Sequence, residues 1–87
     1  MEVHDIHHAD KVKRLLEQYE DELEEAEEYA ELAEEMPGCA ELMHAIGREE
    51  VTHAYHLRDK LIKMGHEFAE DHESKWHKVL KKYGWEK

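Results

Sequence analysis

At 87 residues the chain makes one small domain, a size that buries too little surface to be comfortable alone. Twelve basic residues against 23 acidic ones leave a formal charge of −11, which argues against nucleic acid or an anionic membrane surface and is compatible with attracting cations. A single cysteine excludes an internal disulfide framework and a Cys-rich zinc site, and the absence of a ~20-residue apolar run or a signal-peptide core leads us to expect a soluble, cytoplasmic protein with no membrane association.

The chain opens on HDIHH, residues 4–8, readable as a weak metal-binding tract or as the frayed start of a helix, of which we prefer the second. From there no glycine or proline occurs until Pro37-Gly38, and apolar residues recur at helical spacing, which predicts a first helix over 9–36. Proline suits the first turn of a helix, so Pro37 marks both a tight turn and the start of a second helix over 38–64. Gly65 and Gly84 each follow a lysine-bearing turn, as helix stops do, and bound a third, shorter helix over 67–83. Nothing reads as a strand. The expected fold is all-α: a long antiparallel hairpin plus a short C-terminal helix.

Each long helix carries one stripe. Steps of four and three from Leu15 pass through Tyr19, Glu22, Ala26, Tyr29, Ala33 and Met36, with Leu16, Leu23 and Ala30 widening the band. In the second helix the stripe runs Cys39, Met43, Ile46, Glu50, His53, Leu57, Leu61 and Met64, flanked by Gly47 and Ala54. The exceptions to its apolar or aromatic character are Glu22, Glu50 and His53. With 18 Glu and 9 His, chance alone supplies roughly two Glu-x-x-His pairs, so the spacing of Glu50 and His53 is weak by itself. A second pair, Glu41 and His44, falls off the stripe and is expected to face water.

Position along the hairpin gives an independent test. Glu22 lies 15 residues before Pro37, and Glu50 and His53 lie 13 and 16 after it. At the α-helical rise all three sit roughly 20–24 Å from the turn, so the hairpin brings them level. Carboxylates and imidazoles on a buried seam cost several kcal/mol unless paired or coordinated. A hydrogen bond between Glu22 and His53, setting register, satisfies two of the three; a shared metal ion satisfies all of them, and we expect the metal. Two carboxylates and one imidazole are too few ligands for a divalent cation that wants six positions. A two-fold dimer doubles them to four Glu and two His while packing four helices together.

A Glu on one helix, a Glu-x-x-His on the next, and Tyr29 seven residues after Glu22 make the chain resemble the ferritin-like superfamily. The two-helix format with a short third helix is similar, more specifically, to the encapsulated ferritins: EEVTHA resembles their ExxHA segment, MPGCAEL the proline-led start of their second helix, and KWHKVLKKY their Trp…Leu…Tyr third helix (Trp76, Leu80, Tyr83). The resemblance covers most of the chain from about residue 15. It implies a ferroxidase, acting in iron storage or detoxification at a di-iron centre shared by two subunits, with manganese as the other candidate metal. It also implies a homo-oligomer of dimer units in a ring, such as a decamer, and an encapsulin nanocompartment as a location, although no apolar cargo-type tail follows Trp85. Asp21 and Glu24 occupy positions that in the family flank the first ligand and take up iron. Alignment through Pro37 without a gap offers Glu20 in place of Glu22; Glu20 points off the stripe, and Glu22 is retained. Tyr29 reads equally as a group beside the metals or as seam packing.

The remaining features read more plainly. His44, His56, His66, His72 and His77 are expected at the surface, and Cys39 in the seam near the turn. Lys75, Lys78, Lys81 and Lys82 oppose an apolar edge of Phe68, Trp76, Val79 and Tyr83, which docks the third helix either on its own hairpin or on a neighbouring subunit. The other class of function open to the chain is a non-catalytic metal-binding or structural helical oligomer.

Overall fold

The computed structural model of the chain describes residues 3–85, with side chains from His8 onward. Three α-helices follow one another: α1 (Val3–Glu35), α2 (Ala40–Lys63) and α3 (Glu70–Lys82), and no strand occurs among the described residues. Helix α1 begins six residues earlier than the sequence pattern predicts, so HDIHH continues the helix; the side chains of His4 and His7 lie outside the described residues, and with them the choice between the two readings of that stretch. His8 is described. Its Nε2 lies 3.1 Å from the Met64 carbonyl and ties the start of α1 to the end of α2.

The punctuation works as expected, with shifts of a few residues. Met36, forced out of the helical region by the proline that follows, takes φ −126° and ψ 74°. Pro37–Cys39 then form a 3-10 turn, so α2 starts at Ala40 rather than 38. At the far end Gly65 adopts φ +90°, where a Cβ would be strained. Its N–H bonds to the Ile62 carbonyl and that of His66 to the Leu61 carbonyl, which satisfies two carbonyls that the end of α2 leaves open. Gly84, at φ +73°, closes α3 by the same device. Residues 67–69 are an extended approach to α3 and not its first turn.

In α1 the deepest positions, Tyr19, Leu23, Ala26, Ala30 and Ala33, all lie in the predicted band; in α2 Leu61 of the predicted stripe is buried, but the rest of the buried set, Gly47, Val51 and Ala54, lies one ridge away from it. Val51, absent from the predicted stripe, is fully buried, and Gly47 and Ala54, taken as its flanks, are central. Cys39, Met43, Ile46, Glu50, Leu57 and Met64 are only half-buried, and Met36 and His53 are exposed. At Gly47 the burial comes from beyond the hairpin, because Tyr83 at the end of α3 lies directly over it.

Helix α3 docks on its own hairpin, burying Trp76, Val79 and Tyr83 with Phe68 packed at their edge. Tyr83 sits directly over Gly47, and its hydroxyl donates to the Ala26 carbonyl at 2.5 Å. At the other end of the interface, Arg58 of α2 lies 4.5 Å from the Phe68 ring centre and 5.3 Å from that of Trp76, pairs with Glu73, and donates to the Tyr19 hydroxyl at 3.5 Å. Burial raises the Tyr19 phenol above its ordinary pKa, against the opposing pull of Arg58. Replacing Arg58 with Met keeps the aliphatic stem but removes the cation–π and ion-pair contacts. We expect a loss of about 1–2 kcal/mol in chemical denaturation. An unchanged midpoint would show that apolar packing alone seats α3.

Three histidines depart from the expected surface placement. His44 packs edge-on to Tyr83, with ring centres 5.4 Å apart, His66 packs edge-on to Phe68 at 4.7 Å, and His72 is half-buried beside them; His56 and His77 are exposed as expected. The His44 contact is made by the docking of α3, so no local pattern announces it, whereas His66 meets a residue two positions on.

Candidate metal centre

Helix α3 leaves one flank of the hairpin open. On α1, Glu27 meets Lys75 of α3, and Glu22 lies about 140° further round the helix. On α2, His44 meets Tyr83, and Glu50 lies about 120° round from it. The molecule measures 56 × 21 × 16 Å, two helix diameters at most in either short direction, and among the described residues no further layer covers that flank. It carries Tyr29 and Met36 from α1 and Met43, Ile46 and Leu57 from α2. In their midst stand Glu22, Glu50 and His53.

These three converge. One ligand atom from each lies within 4.8 Å of the other two, and the trio is the one such group of His, Cys, Asp and Glu among the described residues. His53 Nδ1 is 3.2 Å from Glu22 Oε2, with the Glu22 side chain 19% exposed and that of His53 58% exposed. Glu50 is half-buried and within hydrogen-bonding reach of Glu22. The hydrogen bond to Glu22 is the chief cause that raises the Glu50 pKa, followed by partial burial. A proton held between the two carboxyls therefore stabilises the metal-free fold in acid, and that contribution is lost as pH rises through the raised pKa. At neutral pH the same two carboxylates repel, and a cation between them relieves the repulsion.

The donor set fits a first-row divalent metal. Carboxylate oxygens and a neutral imidazole suit iron and manganese, and three ligand atoms on an open flank leave positions for further ligands. The trio carries fewer protein ligands than an octahedral ion takes up.

The other expected residues fall as follows. Tyr29 is half-buried on the same flank, two turns of α1 and about 10 Å along from Glu22. Asp21 and Glu24 are exposed and outside the trio, and Glu20 is exposed and outside it as well. Glu41 is exposed, and with His44, Ala40 and Arg48 it lines an open hollow away from the trio. One neighbouring carboxylate was absent from the sequence reading: Glu25, exposed, one turn beyond Glu22 and outside the trio, has its pKa raised chiefly by Glu50. Its spacing of three from Glu22 was the available signal, submerged in an acidic run where carboxylates occupy most positions.

No protein-family model, curated protein or solved structure matches the chain.

Proposed function

We propose that the protein is a ferroxidase that oxidises Fe(II) to Fe(III) at a dinuclear carboxylate centre formed between two copies of the chain. The observation that carries this reading is the meeting of Glu22, Glu50 and His53 within 4.8 Å on the uncovered flank. A second copy related by a two-fold axis covers the half-buried apolar residues around the trio, completes a four-helix bundle, and by adding its own trio brings the total to four Glu and two His for a pair of ions. The resemblance to encapsulated ferritins points the same way; a ring of such dimers and a place in an encapsulin shell rest on that resemblance alone.

The substrate is the metal itself. Glu22, Glu50 and His53 bind Fe(II), and carboxylates favour the higher oxidation state because their negative charge stabilises Fe(III) more than Fe(II). Two Fe(II) ions supply two electrons, which with two protons reduce dioxygen to hydrogen peroxide or hydrogen peroxide to water. Glu22 and Glu50 would hold the ions through carboxylate oxygens, which accommodate either oxidation state, and the His53 of each copy would supply one imidazole nitrogen. A non-catalytic, structural role is the second reading, and the direct contact of His53 with Glu22, which needs no ion, favours it.

Anaerobic Fe(II) titration with light-scattering mass distinguishes them. We expect about two Fe(II) per dimer, with the melting temperature rising as iron is added. A folded monomer at micromolar concentration, unmoved by iron in mass and in melting temperature, would overturn the proposal.

A further inference from the structure

Glu22 and Glu50 stand at the middle of the hairpin. Helix α1 runs beside α2 from His8, whose ring meets the Met64 carbonyl, to Glu35 at the turn. Glu22 lies 14 residues from the first of these and 13 from the second, and Glu50 lies 10 residues from the start of α2 and 13 from its end. Mid-length placement decides how two copies can share the site. A two-fold axis along the helices joins two copies of a site at any level. An axis across the helices joins them only at the level it crosses, and the hairpins overlap fully only when that level is mid-length.

Charge divides at the same level. Residues 23–49, the turn half, hold nine acidic residues against one base, Arg48. Residues 8–21 and 51–64, the open half, hold five acidic residues against six basic ones. Helix α3 carries its lysines toward the turn half but on the covered side, about one helix diameter from the open flank, where physiological salt screens them.

We propose that the second copy on the trio flank lies antiparallel to the first, its turn beside the other's open end, about an axis that crosses the helices at Glu22 and Glu50. This inference rests on the reading of the trio as a centre shared by two copies. Copies running the same way set one acidic turn half against the other, and these repel. Antiparallel copies set each turn half along an open half that carries a slight positive excess. Arg14 and Glu28, both exposed at the outer edge of the flank, lie eight residues before Glu22 and six after it. Within one chain they are about 21 Å apart and cannot pair. The crossing axis brings Arg14 of each copy to within about 3 Å of the level of the partner's Glu28.

The test uses the intact chain with Gly38→Cys and Cys39→Ser, a nitroxide on the thiol so introduced, and Zn(II) as a diamagnetic probe ion. Gly38 is exposed at the turn, and a side chain there meets nothing within 4 Å. Each turn lies roughly 20 Å from the crossing axis, so dipolar spectroscopy should give a label separation of about 40 Å. Copies running the same way would give less than about 20 Å, two helix diameters. Arg14→Glu and Glu28→Arg should each raise the dimer dissociation constant about five- to tenfold, and the two together should return it to within about twofold of the parent. A separation under about 20 Å, or a double variant that dimerises no more tightly than the single ones, would overturn the antiparallel pairing and leave the shared centre standing. A chain that stays monomeric with Zn(II) and with Fe(II), showing no separation between labels, would fail the shared centre itself.

Discussion

Glu50→Ala and His53→Ala are each expected to lower rapid Fe(II) oxidation by more than about 100-fold, whereas Glu41→Ala and His44→Ala should leave it nearly intact. The two pairs share one local spacing and differ in what surrounds them, so each controls for the other. Glu50 and His53 meet Glu22 within 4.8 Å, while Glu41 points to water and His44 rests on Tyr83. Glu22→Ala should behave like the first group and Glu20→Ala like the second, because on the proposed reading removing a ligand would eliminate a direct bond to the substrate ion, and removing an exposed carboxylate only a solvated charge. Ferric absorbance under stoichiometric iron reads the result. His44→Ala also loses an aromatic contact, so its thermal stability is measured in parallel and its rate taken well below the melting point. Activity that survives in Glu50→Ala but not in Glu41→Ala would place the chemistry elsewhere.

Gly47→Ala is expected to destabilise the fold by about 2–3 kcal/mol, although it places a strong helix former within a helix. An added Cβ would stand 1.9 Å from the Tyr83 hydroxyl oxygen and 2.6 Å from the adjoining ring carbon. The ring is buried at 5% exposure and pinned by its bond to the Ala26 carbonyl, so relief requires the end of α3 to lift. Lifting it forfeits a hydrogen bond of about 1 kcal/mol and much of a buried aromatic side chain worth roughly 1.5–3 kcal/mol. The gain in helix propensity, about 1 kcal/mol, offsets part of this. A double-mutant cycle isolates the contact: in a Tyr83→Ala background the same Gly47→Ala change becomes neutral or mildly stabilising. Destabilisation that persists without the tyrosine would assign the cost to α1 against α2 instead.

Much of the site was legible in the sequence because it depends on lengths. Pro37 fixes where the chain reverses, the helical rise fixes how far each residue lies from that point, and Glu22, Glu50 and His53 come out level. Depth in the core was less legible. Hydrophobic stepping along α2 favours the large residues Met43, Ile46 and Leu57, yet the buried positions are Gly47, Val51, Ala54 and Leu61, and at Gly47 the cover is Tyr83. The larger apolar residues of the predicted stripes, such as Ile46 and Leu57, are thereby left on the flank with the trio. Contacts made by α3 were the least legible. Arg58 finds Phe68 and Trp76 ten and eighteen residues later in the chain, and Tyr83 reaches back to Ala26 and Gly47. A glycine in the interior of a helix is the trace such a long-range contact leaves, and Gly47 carried it.

The burial of Trp76 gives the protein a built-in optical signal. Trp76 is 5% exposed, with Tyr19 6.0 Å away and the Arg58 guanidinium near its ring, while Trp85 is 45% exposed. The emission of the native chain is therefore the sum of a blue-shifted component shielded from iodide and a red-shifted component open to it. Undocking α3 merges the two: the shielded fraction vanishes while the helical circular dichroism of the hairpin persists. Iodide quenching and circular dichroism on one sample thus separate the release of the third helix from the melting of the other two.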